Sequence, residues 1–332
     1  MPIYKYMKKN KLIVLIILLD MVVFTGFAGG KKSPEGKPIS FDETWGYVSM
    51  TRASEYNDEL PLTDVCYFAA DVNCYGELID IPDINKIKVT GKRRHMVFIC
   101  DSKSLTHFIL SPEYPIRERI ISELLDAVKP FDGLNIDIEL VPARDSNIFL
   151  SFIAELSAKL PDKMLSVCVP ARVKRYSEEV YPYKEIADLC DRVFIMAYDE
   201  HWSGGKPGPI ATPDWCKNVT SYAKKSIPQN KIIMGIPFYG RTWANKTTSG
   251  AWYYSGAQRV MNENDVDEYS YEKGIPHFSY TTEVTVQGYI NDAYSVYLLA
   301  QNYEKDGITK IGYWRIGQED PEVWDYLKVK LE

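Results

Sequence analysis

A closed (β/α)₈ barrel, the TIM-barrel class of α/β fold, is what this sequence predicts, and three observations predict it. Eight short, nearly continuous apolar runs recur between Phe41 and the end of the chain. Between them, apolar residues return at the period of an amphipathic helix. No Gly-x-Gly-x-x-Gly or Walker-type loop follows any run, which removes the usual nucleotide-binding open sheet. Strand-then-helix repetition with strands apolar on both faces implies a parallel sheet covered by helices. Eight such units in about 290 residues fit a closed barrel better than a doubly wound sheet.

The predicted strands are Trp45–Met50, Val65–Ala70, Met96–Cys100, Leu134–Leu140, Met164–Val169, Arg192–Tyr198, Ile232–Pro237 and Ile308–Arg315. Ile116, Ile120, Leu124 and Val128 recur every four residues, as do Ile148, Phe152, Leu156 and Leu160, so each set marks one helix. Asp145 and Ser146 are available to cap the second. Between the seventh and eighth strands, residues 244–300 are too long for one helix and two turns. His277–Tyr280 and Glu283–Ile290 alternate like a hairpin, and Asp292 begins a helix carrying Val296, Leu299 and Ala300. A small α+β insertion is therefore expected there. Its aromatics Trp252, Tyr253, Tyr254 and Phe278 favour a functional role.

Ahead of the barrel, Lys5, Lys8, Lys9 and Lys11 precede the apolar runs Leu12–Leu19 and Met21–Ala28, and Gly26-Phe27-Ala28 offers a cleavage site. Residues 1–28 thus read as an export signal. A retained membrane tether is the alternative, made costly by Asp20 within the run. No Cys follows the run to carry a lipoprotein anchor. Residues 29–40, rich in Lys, Pro, Gly and Ser, read as a linker to a barrel over 41–332. An exported protein of the periplasm, cell envelope or exterior is expected.

A net charge of −6 argues against nucleic acid or an anionic membrane as partner. The 13% aromatic content, with 24 Tyr and 7 Trp, suits stacking on sugar rings, although large barrels also bury many. Cys66, Cys74, Cys100, Cys168, Cys190 and Cys216 form no Cys-x-x-Cys pair and no Cys/His ligand pattern. His95, His107, His201 and His277 lack metal-ligand spacing. No metal and no cofactor is expected, and a Cys66–Cys74 bridge stays open.

The stretch with the most chemistry is Phe131-Asp-Gly-Leu-Asn-Ile-Asp-Ile-Glu-Leu140. Asn135, Asp137 and Glu139 alternate with aliphatics, so on a strand all three polar groups share one face. Two carboxylates so placed each raise the cost of ionising the other. An ordinary solvated strand face has no reason to accept that.

That run resembles the catalytic strand of glycoside hydrolase family 18, written Asp-Gly-x-Asp-x-Asp-x-Glu, a family of chitinases and endo-β-N-acetylglucosaminidases. Asp132, Gly133, Asp137 and Glu139 match, and Asn135 stands where Asp is usual. Asn at that place resembles the bacterial spore-cortex peptidoglycan N-acetylglucosaminidases of the family. Met196-Ala-Tyr-Asp199, Gly235-Ile-Pro-Phe-Tyr-Gly-Arg241 and Gly312-Tyr-Trp-Arg-Ile-Gly-Gln-Glu-Asp320 resemble its motifs at the ends of the sixth, seventh and eighth strands.

The resemblance implies a retaining hydrolase whose substrate's own 2-acetamido oxygen attacks the anomeric carbon. Glu139 would be the acid and base, Asp137 the stabiliser of the acetamido group, and Tyr198 its hydrogen-bond donor. Trp314 would floor the sugar, with Met196, Asp199, Tyr239, Arg241 and Asn135 around it. Asp132 and Gly133 would support the strand. The implied partner is a peptidoglycan or chitin-type glycan containing N-acetylglucosamine, bound by a monomer. The alternative class is a catalytically silent glycan-binding barrel, whose members usually lose the Glu or Asp retained here. Two departures bear on cleft shape. Cys100-Asp-Ser-Lys103 replaces the family's Ser-x-Gly-Gly, and Phe68 falls one residue before the place of its usual aromatic, which should turn the ring to the other face.

Overall fold

The structure, a computed structural model, describes residues 31–247, 254–268, 270–273 and 275–330. Eight parallel strands close on themselves: β1 (Glu43–Ser49), β2 (Asp64–Val72), β3 (Arg93–Ile99), β4 (Gly133–Asp137), β5 (Met164–Pro170), β6 (Arg192–Met196), β7 (Ile232–Pro237) and β8 (Lys310–Trp314). Each pairs with its sequence neighbours, and β8 pairs back onto β1, Ile311 opposite Thr44. The predicted barrel is therefore the observed one, and all eight runs are strands.

Helices follow the strands and cover them: α1 (Lys103–Leu110), α2 (Pro115–Ala127), α3 (Ser146–Lys159), α4 (Tyr183–Leu189) and α5 (Pro213–Ala223), with α6 (Tyr254–Glu263) in the insertion. The outer layer is completed by α7 (Ala293–Lys305) and α8 (Val323–Tyr326). Of the periodic residues of α2 and α3, Ile120, Leu124, Phe152 and Leu156 are fully buried, and Ile116 and Ile148 are partly buried against the core. Asp145 does not cap α3 with its side chain. Its carboxylate binds His107 Nδ1 at 2.8 Å instead, while Ser146 Oγ donates to the carbonyls of Glu179 and Val180. Asp292 does cap α7, in a reciprocal pair with Ser295.

Inside the barrel, Trp45, Tyr47, Cys66, Val97, Cys168, Phe194 and Ile233 form a second core. Its amino-terminal end is closed by charge. His95 stacks on Trp45 at 4.3 Å and meets Asp64 Oδ1 at 2.7 Å, and Arg93 binds Asp64 through two nitrogens. Gly133 opens β4 at this floor because a Cβ there would lie 2.4 Å from His95 Nδ1 and 2.5 Å from the Met164 carbonyl oxygen. Gly133→Ala should cost about 1–3 kcal/mol through that overlap, read as a lower urea midpoint.

Several boundaries depart from the sequence reading. β4 was expected to reach Leu140 and β6 to reach Tyr198, but their ladders end at Asp137 and Met196. The polar motifs at these strand ends therefore continue beyond the sheet, where side chains reach a cleft. Ile39 and Ser40 are not linker. Ile39–Phe41 forms a short strand paired in parallel with Leu327–Val329. The leader over 1–28, the start of the linker, and Trp252 and Tyr253 lie outside the described residues.

The expected hairpin partners do not pair with each other. Arg241–Ala244 pairs antiparallel with Val286–Tyr289, and Ser270–Glu272 pairs with Ile275–His277. The part expected to run to residue 300 ends earlier, since α7 belongs to the barrel's helical layer and Tyr303 donates to the Gly235 carbonyl of β7.

Candidate active site

Past Asp137 the chain is held by Tyr181, whose hydroxyl donates to the Ile138 carbonyl at 2.9 Å. Asp137 and Glu139 thereby reach one cavity of about 350 Å³ at the carboxyl ends of the strands. Met196, Tyr198, Asp199, Tyr239, Arg241 and Trp314 complete most of its lining. Eight of the sequence-predicted site residues thus meet in one place.

Asp137 is 6% exposed, and its Oδ1 is buried without a hydrogen-bond partner. Burial, and then the charge of Glu139, push its carboxyl up to about 8, against a smaller opposing pull from the Cys168 thiol. Glu139 lies exposed at the mouth, yet protein crowding and the charges of Asp101 and Asp199 raise its pKa as well. Two carboxyl groups so coupled share their protons as a pair. A proton is thus held within the pair at neutral pH.

Tyr198 follows β6, and burial keeps its hydroxyl protonated far above the usual range. Among the described residues no hydrogen bond engages that hydroxyl, so it remains a donor for a ligand. Asp199 has φ +59°, a left-handed conformation that Asp tolerates. The turn aims its carboxylate at the insertion, where Arg241 Nη2 binds both oxygens at 2.8 Å and the Tyr239 hydroxyl donates to Oδ1. Asp199→Asn keeps the backbone turn but removes the charge. It should lower kcat/KM by roughly tenfold, mostly through KM, since a charge-assisted hydrogen bond is worth about 1.5–3 kcal/mol.

Trp314 ends β8 as the floor, packed edge-on by Phe68 at 4.7 Å and tilted against Tyr47 at 5.6 Å. Phe68 therefore faces the barrel interior, contrary to expectation. The pairing of β2 with β3 shifts register between Tyr67 and Ala70, and a bulge of this kind re-aims a side chain.

Asn135, Asp132 and Gly133 are not in the cavity. Asn135 is fully buried beneath it. Its Oδ1 accepts from Tyr47 at 3.1 Å and Cys168 at 3.3 Å, and its amide donates to Ser166 at 2.8 Å. It was expected around the sugar, but its polar atoms are spent on this neutral inner shell. Asp132 sits at the amino end of β4, accepting from the Arg94 backbone N–H at 2.8 Å. It joins β3 to β4 at the far end of the barrel from the cleft.

Two residues escaped the sequence reading. Gln318 lines the cavity within a motif already singled out, and the charge of Asp101, in the loop after β3, bears on both Asp137 and Glu139. The absence of Ser-x-Gly-Gly in that loop was the available signal. All six cysteines are unpaired thiols.

Residues 102–318 match the profile of "Glycosyl hydrolases family 18". The chain belongs to this family. As a family 18 member it is a glycosidase, and its relatives include the spore-cortex type that the resemblance at Asn135 implied. It is 27% identical over 290 residues to the "Cortical fragment-lytic enzyme" of Bacillus anthracis, covering 80% of this chain and 67% of that protein. It is likewise 27% identical over 261 residues to the "Uncharacterized glycosylase YvbX" of Bacillus subtilis, covering 73% and 74%. The crystal structure of the Bacillus cereus spore cortex-lytic enzyme SleL superposes with a TM-score of 0.68 at 25% identity, over 90% of this chain and 77% of that one.

Proposed function

We propose that this family 18 enzyme cleaves the β-1,4 bond on the reducing side of N-acetylglucosamine in peptidoglycan, with retention of configuration. The observation that carries the reading is the grouping of Asp137, Glu139 and the unengaged Tyr198 hydroxyl over the Trp314 ring in one cavity. With the sugar stacked on Trp314, Glu139 delivers its proton to the glycosidic oxygen as that bond breaks. The substrate's acetamido oxygen closes on the anomeric carbon from the opposite face, steadied by a hydrogen bond from Tyr198. Asp137 accepts the acetamido N–H and offsets the positive charge of the oxazolinium ring. Glu139, now ionised, takes a proton from water, which opens the ring with the original configuration restored.

Peptidoglycan is favoured over chitin by the neutral Asn135 and by the cortex-lytic names of the relatives. The leader over residues 1–28 supports action outside the cytoplasm, and amino-terminal sequencing of the exported protein tests its removal. The deciding assay is a digest of residues 41–332 against peptidoglycan and N-acetylglucosamine oligomers, read by mass spectrometry and by NMR of the first anomer released. Products ending in reducing N-acetylglucosamine, initially as the β-anomer, are expected. Cleavage of the oligomers alone would move the substrate to chitin. Retention of both glycans without cleavage would leave a lectin.

A further inference from the structure

A second, larger cavity of about 720 Å³ lies in the insertion, outside the catalytic cleft. Among its lining residues are Lys246, Glu263, Phe278, Tyr280, Thr281 and Thr282. The Phe278 and Tyr280 rings are nearly parallel, 11° apart with centroids at 6.4 Å, and Tyr280 is 41% exposed. Rings so presented offer the flat apolar faces on which sugars stack. Lys246 Nζ donates to Thr282 Oγ1 at 2.9 Å, and it has no carboxylate partner among the described residues. Glu263, by contrast, has Arg259 one helical turn back at 3.7 Å. The uncompensated charge of the cavity is therefore positive, on a protein whose net charge is −6.

The cavity also lies along a direct line from the reaction site. Arg241, in the catalytic cavity, opens the strand paired with Val286–Tyr289. The ladder then continues through the Asn245 N–H to the Thr285 carbonyl and reaches Lys246. At about 3.3 Å per residue, Lys246 stands within about 17 Å of Arg241. A glycan held across the cleft and running along this edge meets Lys246 a few sugars away.

We infer that this cavity binds a carboxylate-bearing sugar unit of the same glycan, stacked on Phe278 and Tyr280 with its carboxylate on Lys246. The inference rests on the proposed peptidoglycan activity and deepens it. Muramic acid and its stem peptide carry carboxylates, whereas chitin carries none, so the cavity would separate the two substrates. An ammonium here attracts the first and gains nothing from the second.

The test uses calorimetry on protein carrying Glu139→Gln, which leaves the ligand uncut. Three probes are titrated: a tetrasaccharide alternating N-acetylglucosamine with free N-acetylmuramic acid, the same with a tripeptide stem, and the N-acetylglucosamine tetramer. Adding Lys246→Gln should weaken the two acidic probes about tenfold and leave the neutral tetramer unchanged. Phe278→Ala with Tyr280→Ala should weaken the acidic probes further. A loss with the free-acid probe only would assign the carboxylate to the lactyl group, which the stem caps as an amide. A loss with the stem only would assign it to the peptide, and a loss with both would mean that Lys246 takes either carboxylate. Equal losses on acidic and neutral probes, or none on either, would overturn the inference. A wild-type enzyme that cuts neither glycan would remove the proposed function while leaving this binding result standing.

Discussion

Glu139→Gln is expected to lower kcat by about 10³-fold, within the 10²–10⁴ that a positioned general acid–base contributes. The amide cannot deliver a proton, yet it preserves the shape of the side chain at the cavity mouth. Trp314, Tyr239 and the Asp199–Arg241 pair, the proposed sugar contacts, are untouched. KM should therefore change little, and Kd for an uncut oligomer should stay within a few-fold. A variant retaining more than a tenth of wild-type kcat would remove Glu139 from the acid's role. The pH profile adds a second reading. Wild-type activity should fall as pH rises through about 8, where the shared proton of the Asp137/Glu139 pair is lost.

Asp137→Asn should slow turnover by roughly 10²-fold and at the same time stabilise the fold at alkaline pH. The first effect follows from losing the acceptor and negative charge beside the forming oxazolinium. The second follows from linkage. Asp137 has a folded pKa near 8 against an ordinary value of 3.8, so the folded state holds a proton that the unfolded chain has released. Stability therefore falls as pH rises between those values, and the full cost is present above about 8. Asn carries no charge to bury and is free of that cost. Urea unfolding at pH 5 and pH 9 should show the variant gaining on wild type only at the higher pH, by a few kcal/mol. A pH-independent difference would mean that Asp137 is already ionised and satisfied at neutral pH.

The strands were legible because a parallel barrel buries both strand faces and writes them as apolar runs. The site was legible because its residues follow those runs directly: Glu139 after β4, Tyr198 and Asp199 after β6, Trp314 at the end of β8. What sequence could not carry was direction. Asn135 shares a strand face with Asp137, but one step of depth moves it from the cleft into the shell of Tyr47, Cys168 and Ser166. Phe68 was misplaced because a local register shift breaks the period of two on which the reading depends. The insertion strands misled because alternation shows that a segment is extended and says nothing of its partner. Arg241–Ala244 and Val286–Tyr289 find each other across more than forty residues of chain.

The pairing of Ile39–Phe41 with Leu327–Val329 brings the two borders of the barrel together beneath the floor of Asp64, Arg93 and His95. Attachment ahead of or behind the domain thus pulls on the same spot, at the pole away from the cut. A fusion partner, surface tag or bead coupled there would load a two-strand clasp in shear and leave the glycan's approach open. The enzyme is accordingly suited to immobilisation from either border, with its cleft turned outward.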